Sequence, residues 1–126
     1  MKLSELINAR RIISDCADKE ISPRASYRIM KFMNATEKDN EFYYSKIQEM
    51  IQKYAKKDEG GNYVQSDGNV VIAEDKVAEA NAAALEIDNI DVEVDEKYWL
   101  RLEDFEDLKL SCRQMQALMP VLKEEQ

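Results

Sequence analysis

From Pro23 to Lys57 the chain runs without a glycine or a second proline, and no other feature narrows its fold so sharply. Nothing in such a stretch stops a helix once it has begun. Its start is well marked: Ser22 can accept a hydrogen bond from an early helical N–H, and Pro23 suits the first helical position, where a missing donor costs nothing. Ile29, Met33, Tyr43, Tyr44, Ile47, Met50, Ile51 and Tyr54 mark the buried side. An unbroken helix over 22–57 would reach roughly 50 Å, longer than the globule such a chain makes. The polar patch NATEKDNE, 34–41, interrupts the stripe, so either a bend or a stretch standing clear of the core is predicted there. A long exposed helix needs cover from a folded-back neighbour or another subunit.

All three glycines lie just beyond this segment, in KKDEGGNYVQSDGNVVIAEDK. Gly60 and Gly61 supply the left-handed conformation that ends helices, and Asp67-Gly68 is a two-residue hairpin signal between runs rich in Val, Ile and Tyr. A small β-hairpin over about 62–72 follows. In the next segment Ala73, Val77, Ala80, Ala84 and Ile87 share one face, small residues that permit close packing of a returning antiparallel helix over about 73–88. Ile90, Val92 and Val94 then alternate with Asp91, Glu93 and Asp95, which predicts a strand over 90–95 with its pairing partner left open.

Both ends of the chain read as helix. Leu3, Leu6, Ile7, Ile13 and Ala17 form a stripe over about 4–17. Near the other end, Ser111 and Gln114 make a capping box and Leu110 and Met115 a hydrophobic staple, so a helix begins at Cys112 and runs to about 119, where Pro120 breaks or kinks it. The fold expected is one domain over 1–126, mainly α with a small β element: a long antiparallel helical hairpin with a β-hairpin at its connection, a short C-terminal strand and a capped C-terminal helix.

Composition narrows the chemistry. There is no histidine, which excludes histidine-based triads and histidine-ligated zinc. Cys16 and Cys112 are far apart in sequence and are expected to be reduced thiols; Cys112, at a helix start, has no histidine to activate it. Gly60-Gly61 lacks the residues of a phosphate-binding loop, and the surroundings of Asp67-Gly68-Asn69 lack the alternating ligands of a calcium loop. No cofactor and no metal are expected. The first segment has charges at positions 2, 5, 10 and 11 and no continuous apolar region, so it is not expected to act as a secretory signal. No apolar run approaches the ~18 residues of a membrane span, and the chain is expected to be intracellular.

Charge is unevenly placed. Residues 1–57 hold 12 Lys+Arg and 8 Asp+Glu, a net of +4, whereas residues 58–126 hold 6 and 18, a net of −12. Such polarity is settled either internally, by packing basic on acidic faces, or externally, by a partner. Direct nucleic-acid binding is not expected of a chain with a net charge of −8. Glu103, Asp104, Glu106 and Asp107 cluster around Phe105; they read either as a solvated acidic turn or as a carboxylate group able to hold magnesium. Aromatic residues are more numerous than one small core needs, and tyrosine and tryptophan favour interfaces. Tyr43, Tyr44, Tyr54 and Trp99 are the candidate contact residues, with Tyr63 and Tyr98 beside them.

The succession of LSELINA, a long helix ending in IQKYAKKDEGGNYV, a returning helix into EIDNIDVEV, an acidic turn before LKLS, and a closing ALMPVL resembles a group of small phage and prophage proteins of uncharacterised function, often encoded near structural or lysis genes. The resemblance covers nearly the whole chain and supplies no catalytic residues. It implies a non-enzymatic helical protein, structural or assembly-related, working through protein contacts with itself or with a phage or host component. The host cytoplasm is the implied location, with incorporation into the virion as a further step. An alternative is an acidic inhibitor of a host nucleic-acid-binding protein, its −12 half imitating phosphate charge.

Overall fold

The computed structural model describes residues 1–123. The protein is mainly helical with a small two-stranded antiparallel sheet: α1 (Leu3–Asp15), α2 (Pro23–Ala35), α3 (Glu37–Tyr54), β1 (Gln65–Ser66), β2 (Asn69–Val70), α4 (Val77–Asp88) and α5 (Cys112–Leu118). Short 3-10 turns precede α4 at Glu74–Lys76, follow α5 at Met119–Val121, and occupy Glu96–Tyr98 and Leu102–Phe105.

α1 is the centre of the core. Leu3, Leu6, Ile7, Ala9 and Ile13 are buried on it, against Phe32 of α2, Leu118 of α5 and the connecting residues Leu100, Phe105, Val121 and Leu122. The C-terminal connection is tied in by a parallel bridge, with the Leu100 N–H donating to the Val121 carbonyl (3.0 Å) and the Lys123 N–H to the Leu100 carbonyl (2.7 Å). At the start of α5, Ser111 Oγ accepts from the Gln114 N–H (3.2 Å) while Gln114 Oε1 accepts from the Ser111 N–H (2.8 Å). Leu118 ends the α-helix, and Pro120 sits within the tighter turn that follows it.

The segment predicted helical over 22–57 is two helices meeting at Thr36 (φ −106°, ψ 6°), inside the polar patch 34–41 where a bend is predicted. Helical hydrogen bonds continue on both sides, Thr36 N–H to the Phe32 carbonyl and Asn40 N–H to the Thr36 carbonyl, each 3.1 Å. Two side chains account for the break. The Thr36 hydroxyl donates back to the Phe32 carbonyl (2.9 Å), a contact that bends helices. Arg10, 6% exposed, reaches up from α1: one terminal nitrogen donates to the Met33 carbonyl (2.8 Å) and to the Thr36 hydroxyl, and the other pairs with Glu37 (2.7 Å). The cation therefore sits at the carbonyl end of α2, and its carboxylate partner lies in the first turn of α3, both favourable ends for those charges.

The strand predicted over 90–95 does not form. Ile90, Val92 and Val94 do pack half-buried against the core. However, the chain beside them is the two-residue lead-in to α1, so pairing stops at one antiparallel bridge, Lys2 with Asp91. The Leu3 N–H donates to the Ile90 carbonyl (2.7 Å) and the Val92 N–H to the Met1 carbonyl (2.9 Å), after which α1 claims the backbone.

β1 and β2 pair in register Gln65 with Val70 and Ser66 with Asn69, around Asp67 (φ 52°) and Gly68 (φ 81°). Two positive φ values define the turn type that matches strand twist, and glycine takes the second without strain. Ala55 also bridges Ile72 and Lys57 bridges Tyr63, fastening this ribbon to the end of α3.

Arg10→Met is expected to cost more than about 2 kcal/mol, because it strands a buried hydroxyl and carbonyl that now receive charged hydrogen bonds. Glu37→Gln, on the half-exposed side of the same pair, should cost less than about 1 kcal/mol. Urea midpoints of the two variants test this ranking.

Candidate interaction surface

α3 and α4 pack along each other and form an arm. The Ala73 N–H donates to the Tyr54 carbonyl (3.0 Å) at the end joined by β1 and β2. Tyr43 and Asp88 meet at the other end, where α1 also packs on both helices. None of the 18 residues of α3 is buried, and in α4 only Ala80 is. Half-buried Ile47, Met50, Ile51, Ala83, Ala84 and Ile87 account for the apolar positions between or beneath the helices. Large apolar groups remain on the outside: Phe42, Tyr44 and Tyr63 are exposed, as are Val77 and, at 60%, Leu85.

The four candidate aromatic residues fall in different places. Tyr43 is half-buried against the core, its ring edge-on to Tyr44 with centroids 5.3 Å apart and planes at 86°. Burial, and then the Asp88 charge, push the Tyr43 phenol above its ordinary pKa. Tyr44 is exposed and lines a cleft of about 330 Å³ with Ile7, Arg11, Ser14, Asp15 and Asn40. Tyr54 lies half-buried at the far end of α3 beneath the Lys53 ammonium, 5.3 Å from its ring centroid. Trp99 is away from these elements: its indole N–H donates to the Val94 carbonyl (2.8 Å), and it lines a separate cleft of about 590 Å³ with Met1 and residues 92–96. Of the four, only Tyr44 is exposed.

The acidic turn is divided. Asp104 is buried; one carboxylate oxygen takes Arg28 (2.9 Å) and the other accepts from the Arg101 N–H (2.9 Å). Glu103 pairs with Arg28 (2.9 Å) and with Arg101 (3.6 Å). Glu106 and Asp107 stay exposed without an ion-pair partner among the described residues. Two of the four acids thus hold α2 to the 3-10 turn at Leu102–Phe105. Among the described residues, no group of three or more His, Cys, Asp or Glu side chains could hold a metal ion, and no helix is long and apolar enough to cross a membrane.

The outer side of α4 carries apolar groups in water. Val77 was expected on the buried face with Ala80, Ala84 and Ile87, but it is exposed, together with Ala78, Ala82 and Leu85. A signal was present: VAEANAAALEID is apolar on nearly every side, whereas a surface helix carries one apolar stripe. Comparison with protein families, curated proteins and solved structures finds no match.

The Arg28 guanidinium holds the Glu103 carboxyl below the usual carboxylate range. A carboxylate with a depressed folded-state pKa contributes stability above its unfolded pKa and loses that contribution as pH falls through the folded value. Carbon-detected NMR titration should therefore find Glu103 titrating below the ordinary carboxylate value, and Arg28→Ala should move it up toward that value. An unchanged Glu103 in the variant would contradict the pairing.

Proposed function

We propose that this chain is a phage- or prophage-encoded, non-enzymatic protein, structural or assembly-related, that acts through protein contacts made by its antiparallel α3–α4 hairpin and the ribbon joining the two helices. The observation that carries this reading is the mismatch between the arm's length and its burial. An 18-residue helix with no buried residue, facing a helix with one, leaves apolar groups such as Phe42, Tyr63 and Leu85 in water. Aromatic side chains anchored on a rigid element are the groups that contribute most when a partner desolvates them. Lys46 and Lys57 lie over the Phe42 and Tyr63 rings at 5.7 and 5.4 Å, which keeps these rings solvated at their edges until a partner displaces the lysines.

A photo-crosslinking residue at Phe42 or Tyr63 tests the reading in cells in which the phage or prophage is induced. Adducts with a particle or assembly component are expected from both positions and not from Arg113, exposed on α5. No adduct at either arm position, or the same adducts at all three, would refute it.

A further inference from the structure

We propose that a second copy of this chain covers the outer face of α4 with its own α2. This rests on the contact function above and names one partner for it. Two exposed helix faces in the molecule are apolar in the middle and charged at the rim, and their charges are opposite. On α4, Val77, Ala78, Ala82 and Leu85 form an exposed strip, edged by Glu79 and Glu86. Residues 77–88 contain three acids and no base. On α2, Tyr27 (56% exposed) and Met30 (50%) stand between Arg24 and Lys31. Residues 23–35 contain three bases and no acid.

The opposite charges select the pairing. Packing α4 on α4 would bring Glu79 and Glu86 of two copies together, and α2 on α2 would do the same for Arg24 and Lys31; like charges juxtaposed at an interface cost several kcal/mol. Only α2 against α4 of another copy meets charge with opposite charge. The alanines at 78 and 82 leave room for the larger Tyr27 and Met30, as close helix packing requires. Within one molecule the two faces are only partly matched: Arg28 is engaged by Glu103 and Asp104, Lys76 lies 3.8 Å from Glu79 and Lys31 stands 5.3 Å from the Tyr27 ring centroid, but Arg24 and Lys31 have no ion-pair partner among the described residues, and neither has Glu86. One crossing of helices about 18–20 Å long is small against the ~800 Å² per partner of a stable interface. A two-fold pair uses the contact twice, since residue i meeting j implies j meeting i.

Light scattering and sedimentation of the full chain test this with charge-reversed variants, all at exposed positions. The wild type should self-associate at low salt and less so at high salt. R24E/K31E and E79K/E86K should each associate at least about tenfold more weakly, because each makes both faces alike in sign. Mixing the two variants in equal amounts should restore association, since each now offers the face the other lacks. A wild type that stays monomeric at low salt, or a mixture that stays dissociated while circular dichroism shows both variants folded, overturns the proposal. Crosslinking from Phe42 and Tyr63 to a particle component would persist in that event, so the two readings fail separately.

Discussion

A buried guanidinium sets the plan of this molecule. Arg10 projects from the central helix α1 into the point where α2 gives way to α3, and its hydrogen bonds meet the Met33 carbonyl near the end of one helix and the Thr36 hydroxyl at the junction, while its charge meets the first turn of the next. A charge taken from water is tolerated only with such partners. Its Nε, buried with no partner among the described residues, marks the side on which the apolar core begins. By fixing the break at Thr36, Arg10 sends α2 across the core and α3 away from it. Without that contact only the Thr36 hydroxyl bond to the Phe32 carbonyl would bend the chain at this residue, because the backbone hydrogen bonds run on through it.

The result is a molecule with two unequal parts. The core around α1 contains nearly every fully buried side chain, whereas the arm is held by half-buried residues between two helices and by a ribbon of two-residue strands. An isolated two-stranded ribbon is marginal in water, so β1 and β2 depend on the bridges that Ala55 and Lys57, beyond the end of α3, make to the flanking Ile72 and Tyr63. Packing density of this kind gives low local stability, and segments of low local stability are the ones proteins use for contact. The arm is anchored where Tyr43 packs against the core.

Local chemistry was legible in the sequence, and long-range chemistry was not. Ser22-Pro23, Asp67-Gly68 and Ser111 with Gln114 each act within four residues, and each occupies the turn or cap its type favours. The polar patch over 34–41 marks the neighbourhood of the break, but its placement at Thr36 depends on an arginine 26 positions earlier in the chain, which no local pattern encodes. The alternation at 90–95 reports burial on one side, and burial alone does not create a pairing partner. The candidate site was legible only in kind. An aromatic surplus did point to exposed rings, but which rings are exposed depends on neighbours: Trp99 is engaged by the Val94 carbonyl and Tyr43 by the core, while Phe42 and Leu85 carried no mark of their own. In the acidic turn Glu103, Glu106 and Asp107 are exposed, and what the sequence hides is the burial of Asp104, whose partner Arg28 lies 76 positions away.

The charge asymmetry between the two halves is resolved inside the molecule at a single point. Among the described residues, every ion pair that joins the basic first half to the acidic second half runs through Arg28. The remaining imbalance lies on the surface, and salt screens it beyond about 8 Å under physiological conditions. It therefore acts at contact and not at a distance. At contact, charges at the rim of an apolar strip add little affinity but reject partners of the wrong sign, while in the proposed association desolvation of Leu85 and Val77 would supply the free energy. A helix that is apolar on two sides and acidic along its edge is thus selective by its rim and adhesive by its centre, a division that neither the net charge nor the apolar content of the chain would reveal alone.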